Sequence, residues 1–112
     1  MASISASSET RDVVGPTLRA LNSLPYCLAE RLQSGRARGG KMRLCSAGCP
    51  DLFAIICGTT VFFEAKTPIG RLSPAQLEWH RRARNAGAFV QVIRSPREAI
   101  EVAKSLFGRL RT

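Results

Sequence analysis

The sequence predicts an α/β protein, a mixed central sheet flanked by helices in the order α-β-β-β-α-β-α. Three observations predict it. Two apolar, β-rich runs, residues 51–56 and 60–65, are separated only by Cys57-Gly58-Thr59, which suits a tight hairpin. Two helix starts of the form Ser-Pro-x-Gln/Glu stand at Ser73 and Ser95. Between the helices they open lies a third apolar run, residues 89–93.

Taken in order, residues 1–8 are Ser-rich and read as a frayed tail. A first helix is expected from about Glu9 to Leu21, because Val14, Leu18 and Leu21 recur at helical spacing. Gly15-Pro16 lies inside that span, so the helix either kinks there or begins at Pro16. Pro25 closes the region, and Tyr26 to Gln33 alternates as a strand. The segment SGRARGGKMR, residues 34–43, is glycine-rich and carries Arg36, Arg38, Lys41 and Arg43, so it reads as a positively coated loop or hairpin tip. The near-continuous apolar character of residues 51–56 and 60–65 predicts strands covered on both faces. In the next helix Ser73 is the N-cap, Pro74 takes the first helical position, Gln76 completes a capping box, and Gly87 stops the helix after about Ala86. Phe89 to Ile93 is a strand, and a last helix presents Ile100, Ala103 and Phe107 to the core before ending at Gly108.

The 112 residues suit one domain with a modest core. No apolar run approaches the ~18 residues that would span a membrane. Residues 1–8 lack the basic start and apolar stretch of a secretory signal, so an intracellular, cytoplasmic setting is expected. Lys and Arg total 17 against 8 Asp and Glu, a net charge of +9 that suits a polyanionic partner, with counterion release supplying affinity. The four cysteines, Cys27, Cys45, Cys49 and Cys57, have neither zinc-knuckle nor zinc-ribbon spacing, and disulfides are not expected in that setting. Buried apolar roles in strands suit them.

The chemistry concentrates at the ends of the hairpin. Glu64 and Lys66 are two apart on one strand and leave the same face. Asp51 lies seven residues before Gly58 and Glu64 six after it, so the turn brings the two carboxylates together. Two carboxylates so placed repel unless a cation sits between them. A hard divalent ion with oxygen ligands, most simply Mg²⁺, resolves the conflict, and water and substrate phosphate complete its shell. Lys66 can orient or deprotonate an attacking water, or offset charge on the transition state. A solvated Glu–Lys pair on a strand face is the plain alternative, and the flanking apolar runs argue against it.

The pattern Pro-Asp, spacer, Glu-x-Lys resembles the PD-(D/E)xK nuclease superfamily. The surrounding residues, SGRAR, GCPDLFAI and VFFEAKTPIGRLSPAQLEWHRRARNAGAFVQVIRS, resemble the VRR-NUC family of virus-type replication-repair nucleases over about residues 31–104. The resemblance implies a restriction-endonuclease-like fold and DNA cleavage dependent on Mg²⁺ or Mn²⁺. It makes Asp51 and Glu64 metal ligands, the Ala65 carbonyl a third ligand, and Lys66 catalytic. Gln76 has two readings, a helix cap without function or a glutamine lying at the site as in the family. Family members often carry a glutamate on the first helix that approaches the metal; Glu9 matches that role, Asp12 competes for it, and a solvated acid at the helix start is the plain reading of either. His80, the sole histidine, could be a general base or simply pack on its helix. Ser34, Arg36, Arg38, Lys41, Arg43 and Arg71 form the candidate DNA-contact set. Small stand-alone members resemble homodimeric resolvases of four-way (Holliday) junctions, whereas larger ones cut flaps. A homodimer acting on branched DNA is therefore expected, with Val13, Val14, Leu18, Tyr26 and Leu28 able to form its interface. The rivals are a flap or nonselective nuclease and a non-catalytic basic nucleic-acid-binding module.

Overall fold

The computed structural model describes residues 10–32 and 45–111. The expected tail, Glu9, the end of the first strand at Gln33, and the loop with Ser34, Arg36, Arg38, Lys41 and Arg43 lie outside the described residues. The chain forms a π-helical turn, Thr10–Val14, that runs into α1 (Gly15–Asn22). It continues through β1 (Cys27–Arg31), β2 (Leu52–Ile56), β3 (Thr59–Ala65), α2 (Pro74–Asn85), β4 (Phe89–Ile93) and α3 (Pro96–Arg111). This is the expected α/β order. The four strands lie in sequence order, with β1, β2 and β3 antiparallel and β4 parallel to β3. The parallel pair needs a crossover, and α2 supplies it.

The first helix shows how Pro16 acts. Proline cannot donate the amide hydrogen that would continue an α-ladder, so the preceding turn is widened and the α-helix proper has Pro16 in its first turn. At the far end of the chain, α3 runs through Gly108 to Arg111 rather than stopping at the glycine. One glycine costs about 1 kcal/mol in a helix, too little to end one followed by the helix formers Arg109, Leu110 and Arg111. Helix α2 ends at its glycine. Gly87 adopts φ +97°, its N–H donates to the Arg84 carbonyl, and the Ala88 N–H donates to Ala83, the paired bonds of a Schellman motif.

The core lies on one face of the sheet. Val13, Val14 and Leu21 from the first helical segment and Ala99 and Ala103 from α3 pack on Ala29, Leu52, Ala54, Ile56, Val61, Phe63 and Ile93. Phe107 stacks on Tyr26 at 4.1 Å between ring centroids. The opposite face is covered unevenly, which corrects the expectation of strands buried on both sides. There Trp79 of α2 meets Phe62 edge-on at 5.5 Å, while Ile55 and its cross-strand partner Leu28 remain exposed. A single helix is too narrow to cover that whole face. The surface proposed for dimerisation contracts accordingly. Val13 and Val14 are core residues, Leu18 and Tyr26 are partly buried, and Leu28 alone of that set is exposed. The Asn22 side chain also occupies the outer edge of β1, donating to the Ala29 carbonyl (3.0 Å) and accepting from its N–H (2.8 Å). That satisfies one residue's pair of the backbone groups through which an edge strand would recruit another.

The cysteines depart from expectation. Cys45 and Cys49 form a disulfide, because the turn between them brings their Cα atoms to 6.5 Å, within bridging range. Cys27 and Cys57 are free, half-buried thiols, and burial, then the neighbouring Cys57, pushes the Cys27 thiol up. Among the described residues no helix is long and apolar enough to cross a membrane.

Candidate active site

The hairpin places the acids as its spacing requires. Cys57 and Gly58 both have positive φ, 51° and 83°, which gives a two-residue turn of the hand that matches strand twist. Register then runs from Ile56–Thr59 to Leu52–Phe63, and one further step sets Asp51 opposite Glu64. The Asp51 Oδ2 accepts the Ala65 N–H at 2.8 Å, tying the head of β2 to the end of β3. Val61, Phe63 and Ala65 point into the core, so alternation sends Phe62, Glu64 and Lys66 to the α2 face. The Lys66 N–H donates to the Ile93 carbonyl at 2.9 Å, which continues the β3–β4 pairing past the lysine.

Helix α2 closes over Glu64. The capping box forms as read from the sequence, with the Gln76 N–H donating to Ser73 Oγ (3.2 Å) and the Ser73 N–H donating to Gln76 Oε1 (2.8 Å). With Oε1 so used, Gln76 Nε2 turns inward and donates to Glu64 Oε2 at 3.1 Å. Both readings of Gln76 hold together: it caps the helix and touches the acid. One turn later, His80 Nε2 lies 3.1 Å from Glu64 Oε1. The imidazole is 1% exposed, like Glu64 itself. Burial, then the Arg84 and Lys66 charges, hold its pKa below the usual histidine value. The sequence reading missed this contact. Its signal was the four-residue interval from Gln76, which puts both side chains on one helix face.

Two backbone features frame the site. Gly48, at φ +86°, passes so close to α2 that a Cβ there would overlap the Ala75 carbonyl. Beyond Lys66, the Arg94 guanidinium donates from Nη1 to the carbonyls of Thr67 (2.6 Å) and Gly70 (2.8 Å), clamping the turn that leads to exposed Arg71. Charged donors of this kind contribute about 1.5–3 kcal/mol. Arg94→Met is therefore expected to cost about 2 kcal/mol and to speed amide exchange at Gly70, whose N–H donates to Thr67. Exchange as slow as wild type would show that the turn holds itself.

Among the described residues no group of three or more His, Cys, Asp or Glu gathers as a metal cage, and Asp12 does not join the pair. Carboxylates at neighbouring strand ends still suit a Mg²⁺-type ion, which is commonly held by one or two carboxylates, waters and substrate phosphate. Each Glu64 oxygen lies 3.1 Å from a nitrogen of α2, and a carboxylate oxygen can accept from more than one partner. The residues present fit such an ion. A groove of about 440 Å³ between β4 and α3 contains none of the site residues.

The VRR-NUC domain family model matches residues 13–97. A solved structure of a VRR-NUC domain is similar at 27% identity with a TM-score of 0.65, over 87% of this chain and 95% of that one. No curated protein matches the chain. The family match spans well over half of the sequence and includes both strand ends and α2, and the fold agrees with it: the chain belongs to the VRR-NUC domain family.

Proposed function

We propose that this protein is a divalent-metal-dependent DNA endonuclease that cuts branched DNA, with four-way junctions as its preferred substrate. A VRR-NUC domain implies a nuclease-type fold with DNA as substrate. The observation that carries the finer reading is the pair Asp51 and Glu64 at adjoining strand ends, with Lys66 on the Glu64 side of β3. Asp51, Glu64 and the Ala65 carbonyl would hold the cation. When bound, Mg²⁺ or Mn²⁺ would polarise a phosphoryl oxygen and acidify a water. Lys66 brings a cationic donor to the scissile phosphate, where it orients the attacking water and offsets charge developing on the phosphoryl oxygens. Glu9 would extend the ligand set. Ser34, Arg36, Arg38, Lys41, Arg43 and Arg71 would hold the polyanion around an acidic centre.

Two strands must be cut in a four-way junction, and one chain offers one site, so a two-fold dimer completes the function. The exposed Leu28–Ile55 pair is the apolar surface left to such a contact. The test compares cleavage of labelled four-way and linear duplex DNA in Mg²⁺, Mn²⁺ and EDTA, with mass measured by light scattering. Metal-dependent cutting of the junction by a dimer is expected. Cutting in chelator removes the metal reading. Equal cutting of both DNAs by a monomer gives a nonselective or flap nuclease, and binding without cutting gives a non-catalytic basic module.

A further inference from the structure

We infer that His80 is a positioning residue whose Nε2–H fixes the orientation of the Glu64 carboxylate, an inference that rests on the proposed metal-binding role of Glu64. A carboxylate turns easily about its terminal bond, since that torsion is broad. One donor leaves the turn partly open, whereas donors on both oxygens close it. Here Gln76 Nε2 holds Oε2 and His80 Nε2 holds Oε1, each at 3.1 Å, from successive turns of one helix. An ionised carboxylate only accepts, so the nitrogen facing it carries the proton. The second ring nitrogen, Nδ1, is buried and has no hydrogen-bond partner among the described residues.

That orphaned nitrogen separates positioning from proton transfer. A histidine acting as general base needs a lone pair aimed at the reacting group and a partner to orient its other nitrogen. His80 aims a proton at Glu64, and its other nitrogen has no hydrogen-bond partner among the described residues. A phenylalanine would fill much the same volume without burying an unsatisfied nitrogen, so what the imidazole supplies is the donor at Oε1. The outer partners of metal ligands set ligand orientation in this way, and their loss commonly lowers metal affinity or activity 10–100-fold.

Because His80 is the only histidine, its two ring nitrogens are the only imidazole signals in a ¹⁵N spectrum of the intact chain. Nε2 is expected to be protonated, and its resonance is expected to move when Mg²⁺ is added. An unprotonated Nε2 overturns the inference without any variant. Calorimetric titration with Mn²⁺ in the absence of DNA is expected to give a roughly 10–100-fold weaker Kd for His80→Phe, largely recovered in His80→Gln, which keeps an N–H at similar reach. Wild-type affinity in His80→Phe overturns the inference, as does a loss that His80→Gln leaves unrepaired. Glu64→Gln keeps the two readings apart: if it binds Mn²⁺ as wild type does, the metal-binding role of Glu64 fails; if it does not, while His80→Phe does, only the positioning role fails.

Discussion

Replacing Asp51 by Asn or Glu64 by Gln is expected to lower the rate of DNA cleavage about a thousandfold or more, equivalent to about 4 kcal/mol of lost transition-state stabilisation. DNA binding is expected to persist or tighten, because each change removes a negative charge beside the phosphate. The two variants should differ in stability. An asparagine at 51 can still accept the Ala65 N–H through its carbonyl oxygen, so Asp51→Asn is expected to melt close to wild type. A glutamine at 64 keeps both contacts only if its oxygen accepts from Gln76 Nε2 and its amide donates to His80 Nε2. That requires the other imidazole tautomer, which places a proton on the buried, unpartnered Nδ1. A donor left buried in this way costs about 1–3 kcal/mol. Single-turnover cleavage, gel-shift binding and thermal melting together read all three effects. Near wild-type cleavage by both variants would mean that the site lies elsewhere.

Gly48→Ala is expected to destabilise the fold by about 2–4 kcal/mol, combining roughly 1 kcal/mol of left-handed backbone strain with 1–3 of overpacking. Gly58 is an internal standard. It also has positive φ, 83°, but a Cβ there meets nothing within 4 Å, so Gly58→Ala should show the backbone share alone. The excess at Gly48 measures the overlap with the Ala75 carbonyl, which belongs to helix backbone and cannot swing aside. Relief would require α2 to move away from the strand-2 approach, taking Gln76 and His80 with it. Cleavage should then fall although no charged group has changed. Denaturant melts of the two variants decide it, and equal losses would show that the contact yields without cost.

The residues that could be read from sequence are those whose neighbours are fixed by local geometry. Ser73, Pro74 and Gln76 announce their cap within a single turn, and the Asp51–Glu64 juxtaposition needs only a turn position and the two-residue period of strands. The grip of His80 on Glu64 was not legible, because it depends on where α2 settles across the sheet. The same is true of Gly48, whose need for glycine arises from a helix that follows it by more than twenty residues. The Ile55–Leu28 exposure escaped for a related reason: an apolar run reads alike whether one helix or two lie over it.

The three bonds that draw Asp51, Glu64, Gln76 and His80 together join groups 14, 12 and 16 residues apart along the chain. Loop closure over such lengths is cheap, each doubling adding only about 0.6 kcal/mol. The whole constellation falls within residues 51–80, and neither α1 nor α3 lends it a side chain through any of these bonds. Few residues need be ordered to bring its members together. Length changes after His80 therefore leave the closures at the centre untouched, whereas an insertion between Ala65 and Ser73 lengthens the one closure on which the α2 contacts depend.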